Sequence, residues 1–297
     1  MREAVGLAER VSSTDANVLI TGESGVGKDL LASFIHSRSR RAAEAFVKID
    51  CATLPGELLE AELFGYERGA FTGAVEARAG RFEAAQKGTV VLDEIAHLST
   101  DAQAKLLRVI EAREFERLGG RKTIRLDARL IALTNVDLDA AVKAGRFRED
   151  LFYRLNVISI RVPPLRERKQ DLSKLIQHYL KTYSVKHARK IERVSQPALA
   201  ILQAYDYPGN ARELANIVER AVIVAEVNWI DEHDLPAGLK AAVKVQQRKD
   251  KPMSLAQLEA AYISEMLAAT GGNKTECARI LGISRKNLYE KIARYEL

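Results

Sequence analysis

Residues 18–41 read VLITGESGVGKDLLASFIHSRSRR. The first four, VLIT, are β-rich and apolar. The next eight, Gly22, Glu23, Ser24, Gly25, Val26, Gly27, Lys28 and Asp29, form a glycine-rich turn ending in lysine and aspartate. Behind the turn, Leu30, Leu31, Phe34 and Ile35 recur at helical spacing. Strand, loop and helix in that order are the context that a phosphate-binding loop requires. Glycines let backbone N–H groups curl around phosphate oxygens, and the helix N-terminus adds partial positive charge. Lys28 would reach the β- and γ-phosphates. Asp29 stands where such loops usually carry Ser or Thr, so a magnesium ion would lose its hydroxyl ligand there and rely more on water and on carboxylates, Asp29 and Asp93 being the candidates.

Working outward, FVKID (46–50), TVVLDE (89–94), RLIALTN (129–135) and VISIRV (157–162) are further strand-like runs, and DAQAKLLRVIEARE (101–114) is an amphipathic helix. Strands alternating with helices predict an α/β fold with a parallel sheet flanked by helices. After Pro164 the strand signals fade, and DLSKLIQHYLKTYS, QPALAILQAY and NARELANIVERAVIVA predict a helical subdomain. KAAVKVQQRKDKPMS (240–254) is polar, basic and weakly patterned, as a linker is. The expected division is an α/β unit over 1–168, a helical lid over 169–240, a linker over 241–253 and a small all-α unit over 254–297.

VVLDE ends an apolar strand with two carboxylates. Asp93 at the strand tip would hold the magnesium through water, and Glu94 would polarise an attacking water as general base. A strand running into a charged turn would look the same, and the phosphate loop some sixty residues upstream decides for the catalytic reading. GAFTGA, from Gly69 through Ala70, Phe71, Thr72 and Gly73 to Ala74, places one aromatic and one threonine between small, flexible ends. It reads as a mobile loop with Phe71 at its tip, or else as a tight turn around a buried Phe.

Taken in order, GESGVGKD, ELFGYERGAFTGA, GTVVLDE, LLRVIEAREFERLGG, FREDLFYRLNV, PPLRER and YPGNAREL resemble the bacterial enhancer-binding proteins, the NtrC-type AAA+ activators of sigma-54 RNA polymerase. The resemblance runs over the whole chain. It implies a AAA+ P-loop domain with a helical lid, ATP and magnesium as cofactors, and a homo-oligomeric ring, a hexamer by family habit. Gly22–Asp29 would bind ATP, Asp93 and Glu94 would be the Walker B pair, and Thr134 and Asn135 the sensor. Arg148 and Arg154 match the arginine-finger region that reaches the γ-phosphate of a neighbouring subunit, although on residues alone they are also a pair of surface arginines. Arg212 matches the second sensor, in the lid. Gly69–Ala74 would contact sigma-54, with the loop near Arg117–Arg121 beside it. One departure stands out: the family often has Asn where this chain has Asp50. That Asn is thought to restrain the Walker B glutamate, and an ionised Asp cannot donate the same hydrogen bond.

NKTECARILGISRKNLYEKIARY (273–295) predicts helix, turn, helix, with Thr275 and Ser284 as N-caps, Gly282 in the turn, and Ala278, Ile280 and Leu281 packed against Ile283, Leu288 and Ile292. Arg285, Lys286, Asn287 and Lys291 would face solvent as a recognition helix does in a major groove. With Tyr289 and the two N-caps they are the candidate contacts to double-stranded DNA. The segment resembles the Fis-type helix-turn-helix of the same family. A three-helix protein-interaction module is the competing reading.

Composition agrees with these expectations. From Lys240 onward there are eleven Lys and Arg against six Asp and Glu, so +5 of the chain's +6 lies in its last fifth. That is a footprint for nucleic acid, or else a solvated basic tail. No run of about 18 apolar residues suggests a membrane span and no secretory signal is evident. Cys51 and Cys277 are far apart and read as reduced thiols of a cytoplasmic protein, and the five scattered histidines suggest no metal site. The family usually carries an N-terminal regulatory domain, such as a two-component receiver or a ligand sensor. This chain starts almost at the ATPase and is expected to be truncated, lacking that domain, with regulation from outside as the alternative. Two other functions stay open at this point: a AAA+ motor acting elsewhere, against which GAFTGA argues, and a repressor using the ATPase fold as scaffold, against which the complete catalytic set argues.

Overall fold

The computed structural model describes residues 1–241, 243, 254–295 and 297. The described chain forms two compact units, Met1–Asp234 and Leu235–Leu297.

The first unit is built on five parallel strands: β1 (Val18–Thr21), β2 (Phe46–Asp50), β3 (Thr89–Asp93), β4 (Arg129–Thr134) and β5 (Ile158–Arg161). Their order is β2-β3-β4-β1-β5, so β1, which leads into the phosphate loop, lies between β4 and β5. Side chains alternate across a strand, and both faces of the three inner strands, β3, β4 and β1, are buried. Leu19, Val90, Leu92, Leu130 and Ala132 face one core, packed under α3 (Gly56–Phe64), α4 (Arg81–Ala85), α5 (Thr100–Ala112), α6 (Leu138–Lys143) and α7 (Glu149–Leu155). Val18, Ile20, Val91, Ile131 and Leu133 face the other, under α1 (Arg2–Ser12) and α2 (Lys28–Ser37). This double burial is why the strands read as continuous apolar runs.

The expected strands all form, most of them trimmed by a residue at one or both ends. Beyond them, short antiparallel ribbons join Gly65–Tyr66 to Arg78–Ala79, and Glu114–Glu116 to Thr123–Arg125. The first ribbon is the base from which GAFTGA projects. The helical region holds α8 (Leu172–Lys186), α9 (Gln196–Ala204) and α10 (Asn210–Val224). The fading of strand signal after Pro164 is not complete, since Arg193–Val194 pairs with Trp229–Ile230. Two residues per strand are too few to show a period of two in sequence.

The second unit contains α11 (Leu255–Ala269), α12 (Lys274–Leu281) and α13 (Arg285–Tyr295), around a small core of Ile263, Cys277, Ala278 and Leu288. Ser254 caps α11 through a capping box with Gln257. The linker expected over 241–253 lies outside the described residues except at 241 and 243.

Candidate nucleotide site and DNA-binding helices

β1 ends at Thr21, and the chain turns through Gly22–Gly27 into α2, whose first residue is Lys28. Gly25 has φ +76, and a Cβ there would collide with the carbonyl oxygen of Gly209 at the entry to α10. Only glycine lets the loop and the helical region approach so closely. Lys28 is 7% exposed, and its ammonium donates to the carbonyl oxygens of Gly22 at 2.9 Å and Glu23 at 3.4 Å. Its Nζ is 3.8 Å from Glu94. Burial lowers the Lys28 pKa, and the carboxylates of Glu94, Asp93 and Asp29 oppose that shift.

Ser24, Gly25, Gly27, Lys28, Asp29, Asp50, Asp93, Glu94 and Arg212 line one cleft of about 430 Å³, together with Tyr179 of α8. Most of the expected nucleotide and Walker B residues therefore converge. Glu94 sits just beyond β3 with φ +52, a left-handed conformation that costs a non-glycine residue about 1 kcal/mol or more. Its carboxylate accepts the backbone N–H of Asn135 at 3.2 Å. The two strand-end residues are thus joined directly. Thr134 is fully buried, and its hydroxyl accepts from the Val136 N–H at 3.0 Å. Asp50 lines the cleft, but its Oδ1 accepts the Ala52 N–H at 2.9 Å and so caps its own turn.

Asp29 and Asp93 share a cation. The Lys48 ammonium, from edge strand β2, is 2.6 Å from Asp29 Oδ1 and 2.7 Å from Asp93 Oδ2. Partial burial works against the Lys48 charge, and the adjacent Asp29 and Asp93 carboxylates together outweigh it and raise the pKa. Two carboxylates converging on one positive centre form the hard-oxygen donor set that suits magnesium. The residues present therefore fit that ion. Lys48 went unread in sequence, although a lysine inside the apolar run FVKID was a visible signal.

Gly22, Glu23 and Val26 do not line the cleft. Glu23 turns away and accepts both Arg166 nitrogens, at 2.9 and 2.5 Å, and the Asn210 side-chain amide at 3.0 Å. The hydrogen bonds from Arg166 and Asn210 hold its pKa down at about 2. Asn210, fully buried with φ +54, also donates to Ser24 O at 3.0 Å and accepts the Leu165 N–H at 2.8 Å. Ala211 N–H reaches Gly25 O at 3.0 Å, Arg168 reaches Val26 O at 2.8 Å, and Arg212 reaches the Ser24 hydroxyl at 3.1 Å. The motifs PPLRER and YPGNAREL are thus a clasp that ties the phosphate loop to the helical region.

Arg148 and Arg154 are exposed and stand outside the cleft lining, paired with Asp150 at 2.7 Å and Glu111 at 3.0 Å. Buried Gln103, a second residue that sequence reading missed, accepts the Arg148 N–H at 2.8 Å and donates to Leu98 O and Arg146 O. It fixes the turn from which Arg148 projects.

In GAFTGA, Gly69 N–H bonds Ala74 O at 2.8 Å and closes the loop, with Thr72 exposed. Phe71 lies between the two alternatives: it is 38% exposed and rests edge-on against Tyr66 at 5.0 Å. The neighbouring loop lies alongside, through the bond from Glu67 N–H to Leu118 O at 2.9 Å and the Arg117–Glu67 ion pair at 3.2 Å.

In the second unit Ser284 caps α13 through the Asn287 N–H, as expected. Arg285, Lys286, Asn287 and Tyr289 are exposed, and the Lys274 ammonium lies 4.8 Å above the Tyr289 ring. Three expectations need correction. The N-cap of α12 is Asn273, whose carbonyl oxygen accepts the N–H groups of Thr275 and Glu276, so Thr275 lies inside the helix. Ile280 is 47% exposed, and Cys277, one turn back on the inner face, takes the core place assigned to it. Lys291 is not presented to solvent: three residues beyond buried Leu288, it falls on the flank of α13 that meets α11 and pairs with Glu259 at 2.6 Å.

Among the described residues no helix is long and apolar enough to cross a membrane. Compared with known families, residues 1–161 match the sigma-54 interaction domain, 166–252 the AAA+ ATPase lid domain, and 254–295 the Fis family of bacterial regulatory proteins. The chain is 47% identical to regulatory protein AtoC of Escherichia coli over 96% of this chain and 64% of that one. It is 46% identical to nitrogen fixation protein VnfA of Azotobacter vinelandii over 100% of this chain and 58% of that one. It is 45% identical to transcriptional regulatory protein ZraR of E. coli over 96% and 64%. The chain thus spans 58–64% of these relatives' length. Among solved structures, NtrX from Brucella abortus in complex with ADP superposes with a TM-score of 0.77 at 33% identity, covering 100% of this chain and 68% of that one. Its complex with ATP gives the same values.

Proposed function

Since this chain belongs to the sigma-54 activator family, with a AAA+ NTPase domain and a Fis-type DNA-binding domain, we propose that it is an oligomeric ATPase that binds upstream DNA and remodels the closed complex of sigma-54 RNA polymerase into the open one. The observation that carries the reading is the convergence of Lys28, Asp93, Glu94 and the helical region's Arg212 on one cleft. The parts are an ATPase over 1–168, a lid over 169–240, a linker over 241–253 and a DNA-binding unit over 254–297.

Lys28 and the loop N–H groups hold the ATP phosphates. Glu94, held by Asn135, orients and deprotonates the attacking water. Asp29 and Asp93 hold magnesium, which when bound neutralises charge on the β- and γ-phosphates. Arg212, touching Ser24, senses the nucleotide from the lid. Arg148 and Arg154 serve a neighbouring subunit, where a cation supplied in trans makes hydrolysis depend on assembly. The ring, by resemblance a hexamer, drives Gly69–Ala74 against sigma-54, and work at a promoter places the protein in the cytoplasm.

The test is ATPase rate per subunit against protein concentration, for wild type, Arg148→Ala and Arg154→Ala. The rate is expected to climb with concentration and to fall by about 10³-fold or more in the variants, the scale of an arginine finger. A rate flat with concentration and indifferent to both arginines would mean that one subunit holds a complete site. In the same preparations Thr72→Ala is expected to keep hydrolysis and lose open-complex formation. If open complexes survived, the loop would have another role.

A further inference from the structure

Lys48 lies on β2 in register with Val91, two residues before Asp50, whose partner is Asp93. Phe46, Lys48 and Asp50 share one face of the strand. It is the face toward α2, since the Phe46 ring lies 5.0 Å from that of His36. That geometry aims the Lys48 ammonium between the first turn of α2, where Asp29 is, and the tip of β3, where Asp93 is.

Charge explains why a cation belongs there. A Ser or Thr at position 29 would be neutral; Asp29 adds a negative charge to a cleft that already holds Asp50, Asp93 and Glu94. The same cleft must receive the anionic phosphates of a nucleotide. Lys28 offsets Glu94, 3.8 Å away, and makes no closer ion pair among the described residues. Lys48 offsets both remaining carboxylates that fit a divalent ion, at 2.6 and 2.7 Å.

We infer that Lys48 is a resident counter-cation of the metal site, holding Asp29 and Asp93 together until a divalent ion arrives with nucleotide and so setting how much metal the site demands. The inference rests on the nucleotide-site reading above and concerns the regulation of that same site. It has two consequences of opposite sign. Lys48 must yield its carboxylates to the metal, so it weakens metal binding. It also shields incoming phosphates from Asp29 and Asp93, so it strengthens nucleotide binding without metal. Lys48 is 39% exposed, so neither effect has the size a buried charge would give.

The probes are manganese(II), followed by its electron paramagnetic resonance signal, and ADP, which needs no turnover. Manganese affinity is measured with saturating ADP, and ADP affinity with a chelator present, for wild type, Lys48→Met, Lys48→Gln and Lys48→Arg. Removing one unit charge at this range in a partly solvated cleft is expected to tighten manganese about tenfold at low salt in Lys48→Met and Lys48→Gln, less at high salt. Both variants are expected to weaken metal-free ADP several-fold, and Lys48→Arg to stay near wild type. Two neutral variants guard against one that folds poorly. If wild type binds ADP and manganese and the neutral variants bind manganese no tighter, the counter-cation role is wrong and the nucleotide site stands. If wild type binds no ADP, the nucleotide-site reading fails and this inference with it.

Discussion

Asn210 shows how much one buried amide does here. It occupies a left-handed conformation that Asn tolerates and Ala does not, and its side chain joins Glu23, Ser24 and Leu165. Asn210→Ala leaves the Leu165 N–H without its partner in a buried position, at about 1–3 kcal/mol, loses the part-buried bond to the Ser24 carbonyl, and adds about 1 kcal/mol of backbone strain. Asn210→Gly loses the same hydrogen bonds and keeps the backbone relaxed. Denaturant unfolding of the two variants is therefore expected to rank wild type above Gly above Ala, with about 1 kcal/mol between the last two. An alanine variant as stable as wild type would mean that the clasp contributes nothing. Residues of this kind were hard to read in sequence. The string GNAREL was visible, but which of its members faces the phosphate loop depends on the turn at Gly209, which periodicity does not encode. Glu23 misled for the same reason: the loop pattern marks it as a phosphate neighbour, while Arg166, 143 residues away, turns it outward.

At the scale of elements, sequence was most informative where an element is buried on both sides. The three inner strands were legible because runs such as VVL and LIAL have no polar face to confuse, and the edge strands β2 and β5 because their β-branched and aromatic residues keep the run strand-like despite an exposed face. The two-residue strands and the cap of α12 were not. Asn and Thr are both good N-caps, and NKT holds both, so the expectation of Thr275 fell two residues past the cap. The structure chooses Asn273, and the two are separable by mutation. Asn273→Ala is expected to cost the helix-turn-helix about 1 kcal/mol, read as lost helicity on heating, and Thr275→Ala close to nothing. Equal costs would put the cap back at Thr275. The Cys277-for-Ile280 exchange has a similar origin: in an eight-residue helix the apolar stripe is too short to fix its phase.

Over the whole molecule the charge is lopsided, and the structure sorts which charges are available to a polyanion. Of the basic residues on α13, Arg285, Lys286 and Arg294 are exposed, while Lys291 is 21% exposed and bound to Glu259, which also accepts the Tyr295 hydroxyl at 2.6 Å. A cation that releases counterions from DNA lowers affinity as salt rises, with a slope in log–log form of about 0.9 per phosphate neutralised. A cation already committed to a carboxylate contributes little to that slope. Affinity of the full chain for double-stranded DNA, measured across a salt series, is thus expected to fall steeply for wild type. Arg285→Ala and Lys286→Ala are each expected to flatten the slope by about one if their contacts are to phosphate. Lys291→Ala is expected to leave the slope alone and to lower the melting temperature of the helix-turn-helix, because Glu259 loses its ion-pair partner and keeps only the Tyr295 hydroxyl. The opposite result, a flattened slope with unchanged stability for Lys291→Ala, would show that the Lys291–Glu259 pair opens on DNA and that α13 presents a wider basic face than its free geometry displays. A wild-type affinity indifferent to salt would remove the basis for reading α13 as a DNA-recognition helix and would favour a protein partner for the three-helix unit.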